Sequence, residues 1–169
     1  MLRDPKSIIY SDSDGVISDF YAQAEKVLGH KWKHEGKFSE HDQGLILNKH
    51  ENFWSTIPPM KDWKIYWDHI EKYDPHILTA VPGWDHNFSE VDRGKREWYR
   101  RHIPSLPESR IHVVRRKDKQ LYAVNGNTRN ILIDDYEQNI EEFEAAGGIG
   151  IHHVSAKVTI LRLKKLGYY

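Results

Sequence analysis

The sequence predicts an α/β domain built on a parallel β-sheet. Short apolar segments typical of buried strands alternate along the chain with longer segments of helical periodicity. In such a protein each right-handed crossover returns the chain to the same edge of the sheet. The 169 residues show no internal repeat or low-complexity tract, so we expect one domain with room for a small insertion.

Five segments are predicted as strands, because each is short, apolar or β-branched, and bounded by polar residues or turn formers. They are residues 7–11, 76–79, 110–114, 131–133 and 149–152. Helices are predicted over residues 20–28, 63–73, 94–102 and 137–146, and after Ser155 as an N-cap.

Residues 21–51 are predicted to form a small helical cap inserted after the first strand. Beyond Gly29 this stretch is polar, and its apolar patch is limited to residues 45–47. The catalytic core would then comprise residues 1–20 and 52–169. A basic cluster in the cap is either a solvated face or a means of attracting an anionic substrate; it consists of Lys31, Lys33, His34 and Lys37.

Composition excludes several classes of function. Lysine plus arginine and aspartate plus glutamate both number 25, so bulk charge gives no argument for binding duplex nucleic acid. The absence of cysteine excludes disulfides and thiol catalysis. No apolar run approaches ~18 residues and no signal-peptide core is present, so we expect a cytoplasmic protein without a membrane partner. A homodimer stays open.

Acidic pairs follow two of the predicted strands. Asp12 and Asp14 come directly after the first strand, and Asp134 and Asp135 end the fourth. Carboxyl ends of neighbouring parallel strands meet at one edge of the sheet, where ligands bind. Four carboxylates in a small space repel one another unless a cation is present. The pattern therefore predicts a divalent metal, Mg²⁺, with a phosphate-containing ligand completing its coordination.

These residue types suit phosphoryl transfer. A carboxylate can attack phosphorus and form an aspartyl-phosphate, while a second carboxylate two residues on serves as general acid and base. A hydroxyl such as that of Thr79, at another predicted strand end, and a lysine would bind the phosphoryl oxygens.

In their order along the chain, these motifs resemble those of the haloacid-dehalogenase-type (HAD) phosphohydrolases. Residues 12–20 are similar to the first motif of 5'(3')-deoxyribonucleotidases, Asp-x-Asp-Gly-Val-Leu-Ala-Asp-Phe. Residues 131–135 resemble their Leu-Leu-Ile-Asp-Asp, and residues 52–60 resemble the stretch that re-enters their core after the cap. The resemblance implies a Rossmann-like HAD fold.

The resemblance also implies residue roles. Asp12 would be the nucleophile and a metal ligand, and Asp14 would be the acid/base and give its backbone carbonyl to the metal. Asp134 and Asp135 would hold Mg²⁺ directly or through water. Phe20 would lie against the nucleobase or the cap.

The phosphate site implied by the resemblance is less definite. Thr79 would bind phosphate, and Ala80 replaces the serine frequent in the nucleotidases, which leaves a backbone contact there. Lys119 resembles the lysine of the family's Arg-Asp-Lys, although 15 residues separate it from Asp134 and Lys117 competes for the role. Lys95, expected to open the helix after the second motif, is a further candidate phosphate contact.

The function that follows is a Mg²⁺-dependent phosphomonoesterase acting on (deoxy)nucleoside 5'-monophosphates through an aspartyl-phosphate. Its partner would be this small phosphorylated nucleotide, with nucleic acid not required. One alternative is a HAD phosphatase for another small phosphate ester or for nucleic-acid ends. The other is a metal- and phosphate-binding module without turnover, which would have no need of Asp14.

Overall fold

The computed structural model describes residues 4–32, 39–83 and 88–169 and confirms the α/β fold with a parallel sheet. The central sheet has five parallel strands in the order β3-β2-β1-β6-β7. Their bounds are β1 Ile9–Ser11, β2 His76–Val81, β3 Ile111–Arg115, β6 Ile131–Asp134 and β7 Ile149–His152. A separate antiparallel hairpin consists of β4 Val124–Asn125 and β5 Thr128–Arg129.

Six α-helices connect or follow these strands in the described part of the chain: α1 Phe20–Leu28, α2 Glu40–Asn48, α3 Trp63–Ile70, α4 Phe88–His102, α5 Glu137–Ala145 and α6 Ala156–Lys165. Short 3₁₀ segments occupy Glu71–Tyr73, Glu108–Arg110 and Arg116–Tyr122. Helix α4 begins at Phe88, before the predicted start at residue 94. The prediction missed these first turns because their residues are too polar to show an apolar periodicity. Among the described residues, no helix is long and apolar enough to cross a membrane.

Local signals determine where several helices begin and end. The Asp19 side chain accepts a hydrogen bond from the backbone of Ala22 at the start of α1, and Gly29 ends that helix in the left-handed conformation. Ser155 accepts from the backbone of Val158 and caps α6, as the sequence predicts.

Alternate strand residues pack on opposite faces of the sheet. Ile9 and Ile131 contribute to the larger cluster, whereas Tyr10 and Leu132 contribute to the smaller cluster on the other face. The larger cluster also contains Phe20, Ala24 and Leu47 from α1 and α2, so the helices of the predicted cap pack on the same core as the sheet. The division into core and cap stays a prediction.

Strand β1 lies at the topological switch point of the sheet. It pairs with β2 on one side and β6 on the other, and the chain winds outward from it in both directions. The backbone of Asp12 continues this pairing by donating to the carbonyl of Ile133 at 2.8 Å. The crevice beyond the carboxyl end of β1 is therefore where ligands are expected in this architecture.

Two histidines stack across β2 and β3, and their protonation is expected to affect stability. The rings of His76 and His112 are 8° from parallel, with Nδ1 of His76 2.9 Å from Nε2 of His112. Burial, with the neighbouring His112 and Arg110, lowers the pKa of His76 to about 4. His76 therefore becomes protonated below pH ~6.5 in the unfolded chain, but only near pH 4 in the folded chain.

We predict that, relative to His76→Phe, which keeps an aromatic ring, the wild type loses free energy of unfolding as pH decreases through this window. Urea unfolding at a series of pH values measures the slope. His50→Gln is the matched control, because His50 is exposed. Equal slopes for the wild type and His76→Phe would contradict the prediction.

Candidate functional site

The carboxylates predicted from the strand ends lie together beyond β1 and β6. One carboxylate oxygen from each of Asp12, Asp134 and Asp135 lies within 4.8 Å of the others. Asp12 is buried, and Asp134 is 0% exposed. This buried acidic cluster could bind a metal, and all of its donors are carboxylate oxygens, which hard divalent cations such as Mg²⁺ prefer.

A tight turn after β1 brings Asp14 back to this cluster. The backbone amides of Val16, Ile17 and Ser18 all donate to the carbonyl of Ser13, and the amide of Gly15 donates to Ser18. Gly15 has a φ of +79°, and a Cβ on it would lie 2.1 Å from Oδ2 of Asp135. Glycine is therefore required here both for the left-handed backbone and for the close approach of Asp135.

Lys119 lies among the carboxylates and Lys117 does not. The Nζ of Lys119 is 3.0 Å from Oδ1 of Asp12 and 2.7 Å from Oδ2 of Asp134, and the residue is 2% exposed. Lys117 is exposed. The long interval between Lys119 and Asp134 has a structural reason, because the β4–β5 hairpin occupies residues 124–129 within it.

A second buried lysine, Lys95, contacts the other half of the site. Its Nζ donates to Oδ2 of Asp14 at 2.5 Å and to Oγ1 of Thr79 at 3.0 Å. The expectation that it opens a helix is wrong, since Lys95 lies in the middle of α4 and reaches the site from there. Thr79 lies on β2 and is fully buried.

Burial and the crowding of like charges together govern the electrostatics of the site. Burial, with Asp134 and Asp14 nearby, raises the pKa of Asp12 to about 6 despite the opposing charge of Lys119. Burial and the other aspartates raise the pKa of Asp135 to about 8. Burial disfavours the charge of Lys119, but the carboxylates of Asp12 and Asp134 outweigh it and raise its pKa.

Sequence reasoning missed the residues that orient Asp134. Asn139, buried in the first turns of α5, donates from Nδ2 to Oδ2 of Asp134 at 2.9 Å, and the backbone of Tyr136 donates to Oδ1. Arg116 donates to Oδ1 of Asn139 and forms a two-point ion pair with Glu142. The only sequence signal for Asn139 is its place just after Asp134-Asp135, at the start of a predicted helix.

A cavity of about 420 Å³ opens onto Asp12, Asp14 and Lys119. Its other lining residues are largely aromatic or from the β2 loop: Phe20, Tyr21, Trp32, Glu40, Ala80, Val81, Pro82, Gly83, Arg116, Tyr136 and Asn139. Phe20 is largely buried and stacks on Trp54 at 19° between ring planes, so it both packs in the core and lines the cavity. Lys33, His34 and Lys37 of the basic cluster lie outside the described residues.

Comparison with known proteins identifies the fold. No protein-family model and no curated protein matches the sequence. A Thermotoga maritima protein assigned as a beta-phosphoglucomutase matches with a TM-score of 0.52, at 12% identity, over 95% of this chain and 99% of that chain. A HAD family hydrolase from Deinococcus radiodurans R1, solved with bound phosphate and sodium, matches with a TM-score of 0.51, at 12% identity, over 93% of this chain and 88% of that chain. This likeness shows that the chain has the Rossmann-like fold of HAD hydrolases.

We predict that Gly15→Ala weakens divalent cation binding at least about tenfold, because the new methyl displaces Asp135. Isothermal titration with Mg²⁺ measures the effect. Gly29→Ala is the matched control: Gly29 has a similar φ of +75°, but a Cβ there meets nothing within 4 Å in the described part of the chain. Both variants should lose stability, by about 1–2 kcal/mol from backbone strain. Wild-type Mg²⁺ affinity in Gly15→Ala would contradict the role of this contact.

The raised pKa of Asp135 predicts how pH affects the metal-free protein. Between about pH 4 and 8 the folded state retains a proton on Asp135 that the unfolded state has released, so the contribution of this group to stability falls as pH rises through this range. Thermal unfolding in EDTA should show this decline as a difference between the wild type and Asp135→Asn, and Mg²⁺ should stabilise the wild type more at the upper end of the range. Asp135→Asn should reduce both effects. A difference in melting temperature between the wild type and Asp135→Asn that does not change with pH in EDTA would contradict the assignment.

Proposed function

We propose that the protein is a Mg²⁺-dependent phosphomonoesterase that removes phosphate from nucleoside 5'-monophosphates, with deoxynucleotides favoured. The observation that carries this proposal is that Asp12, Asp14 and Lys119 line one cavity, while Asp134 and Asp135 lie beside Asp12. The HAD hydrolase fold supports it, because Asp12 and Asp134 occupy the crevice at the switch point of that fold.

The metal-binding residues in this proposal are Asp12, Asp134 and Asp135, with the backbone carbonyl of Asp14. Two observations favour a cation there. One oxygen from each of the three carboxylates lies within 4.8 Å of the others, and burial together with their proximity raises the pKa values of Asp12 and Asp135. When bound, Mg²⁺ would supply positive charge that keeps these groups ionised and offsets the charge of the phosphoryl oxygens.

In the first step, a carboxylate oxygen of Asp12 attacks phosphorus and the bond between phosphorus and the nucleoside 5'-oxygen breaks. Asp14, protonated at this stage, donates its proton to the departing oxygen. Lys119 and the hydroxyl of Thr79 would bind the phosphoryl oxygens, with the backbone at Ala80 as a further contact. The products are the nucleoside and a phosphorylated Asp12.

In the second step, the carboxylate of Asp14 takes a proton from water, and the resulting hydroxide attacks phosphorus. The bond between phosphorus and Asp12 breaks, which releases inorganic phosphate and restores both carboxyl groups to their starting states. Asn139 and Arg116 do not react in this scheme. They hold Asp134 in place through the contacts described above.

The lining of the cavity supports a nucleoside as the leaving group. Phe20, Tyr21, Trp32 and Tyr136 present aromatic surface beside the carboxylates, and a planar base is a natural partner for such rings. Tyr21 and Tyr136 are each 46% exposed, so contact area remains available on both.

Phosphorylated nucleic-acid ends are the second candidate substrate. Arg115 is the last residue of β3 and Lys117 follows it, both are exposed, and the carboxyl end of this strand lies at the same edge of the sheet as the site. Basic side chains beside a phosphatase site would suit the phosphodiester groups of an adjoining strand. The net charge of the chain is zero and so gives no general attraction to nucleic acid. The mononucleotide is therefore the preferred substrate in this proposal.

We predict that the protein releases phosphate from deoxynucleoside 5'-monophosphates in the presence of Mg²⁺, and that EDTA abolishes this release. Asp12→Asn, which removes the attacking oxygen's charge, should lower kcat by at least about 10³-fold. A panel of ribo- and deoxyribonucleoside 5'- and 3'-monophosphates, sugar phosphates and phosphorylated oligonucleotides measures the preference. Preferential release from oligonucleotide ends or sugar phosphates would replace the nucleotide substrate. No release from any of them would contradict the phosphatase and favour a binding module.

A further inference from the structure

Lys95 is a buried cation whose hydrogen-bonding capacity is taken up by the protein. An ammonium group has three N–H donors. The Nζ of Lys95 has three partners: Oδ2 of Asp14 at 2.5 Å, Oγ1 of Thr79 at 3.0 Å and the ring of Trp54, whose centroid is 4.9 Å away. With only 2% of the residue exposed, little of Lys95 is left to meet a ligand directly.

The carboxylate of Asp14 is held from two sides. Lys95 binds its Oδ2, and the hydroxyl of Ser18 donates to its Oδ1 at 3.0 Å. Ser18 belongs to the turn after β1, and Lys95 comes from α4, so two separate elements determine the direction of this side chain. Each carboxylate oxygen accepts more than one hydrogen bond, so Asp14 keeps a free position for a reacting proton.

The contact with Thr79 has a similar consequence for that hydroxyl. A threonine hydroxyl has one proton to donate, and when Lys95 donates to its oxygen, that proton points away from Lys95. Lys95 thereby determines which way the hydroxyl proton of Thr79 points, with Tyr99 also beside this hydroxyl.

The surroundings of Lys95 fix its position along the helix. Gly94 lets α4 approach the Trp54 segment, since a Cβ on Gly94 would lie 2.7 Å from Cβ of Trp54. The next residue, Lys95, is thus brought over the Trp54 ring and into the site. This close approach explains how a lysine from a helix interior reaches carboxylates at the strand ends.

We propose that Lys95 is a positioning residue that acts through Asp14 and Thr79, holding the acid/base carboxylate and the phosphate-binding hydroxyl in one hydrogen-bonded array. The proposal rests on the proposed phosphatase function. It distinguishes the two buried lysines: Lys119 lies between Asp12 and Asp134 and faces the cavity, whereas Lys95 lies behind Asp14.

The first test uses the leaving group. If Lys95 orients the general acid, Lys95→Met should reduce kcat/KM for a nucleoside 5'-monophosphate about 100-fold, because its alkoxide must be protonated as it leaves. The loss with p-nitrophenyl phosphate should be less than about tenfold, since that phenolate leaves without a proton. Mg²⁺ affinity should be unchanged. Lys64→Met is the matched control, removing an exposed lysine that also pairs with an aspartate, Asp68 at 2.6 Å, and should alter neither value.

Two outcomes of this test would overturn the proposal. Equal losses with both substrates would show that Lys95 does not act through the acid/base carboxylate of Asp14. Unchanged kcat/KM with both substrates would show that Asp14 needs no such support.

The second test does not depend on turnover. Asp14→Asn leaves the buried ammonium of Lys95 without its counter-charge, so the metal-free variant should melt below Asp14→Asn/Lys95→Met by about 5 °C or more. Additive effects of the two substitutions on the melting temperature would contradict the proposed hydrogen-bonded array. If the wild type hydrolyses neither substrate, the proposed function fails, and this thermal cycle still decides whether Lys95 fixes Asp14.

Discussion

The mutual repulsion of four aspartates at the ends of β1 and β6 is the constraint on which the rest of the site depends. Each acid lies at a strand end or in the tight turn after β1, so the backbone keeps the four close together. Two ammonium groups, those of Lys95 and Lys119, are buried beside them. With all four carboxyl groups ionised, the two lysines leave two negative charges unbalanced, which is the charge that one divalent cation would neutralise.

The same constraint explains the neighbouring packing. Gly15 has no side chain, and this leaves room for the close approach of Asp135. The amide of Asn139 donates to Asp134 through its nitrogen and accepts from Arg116 through its oxygen. Because of these contacts, the two positions are not occupied by the apolar residues usual in a protein core. Apolar side chains there would pack well but would leave the carboxylates unsupported, and a buried charge without partners is far more costly than a lost packing contact.

The fold and the acidic cluster could be predicted from the sequence because both depend on local pattern. Short apolar runs give the strands, and acids directly after a strand must lie at its end. The lysines could not be assigned in this way. Lys119 reaches the site through a 3₁₀ segment and Lys95 from mid-helix, and neither position has a periodic or capping signature. The polar start of α4 and the role of Asn139 were missed for the same reason: tertiary contacts, and not local propensity, determine them.

The position of β1 at the centre of the sheet also has a consequence for the order in which the chain can fold during synthesis. β1 emerges from the ribosome before either of its partners, and β2 follows more than sixty residues later. Its second partner, β6, brings Asp134 and comes later still. Until then the nascent chain holds its first two acids apart from the rest, so the site with the greatest charge repulsion is assembled only after most of the hydrophobic core is available to support it.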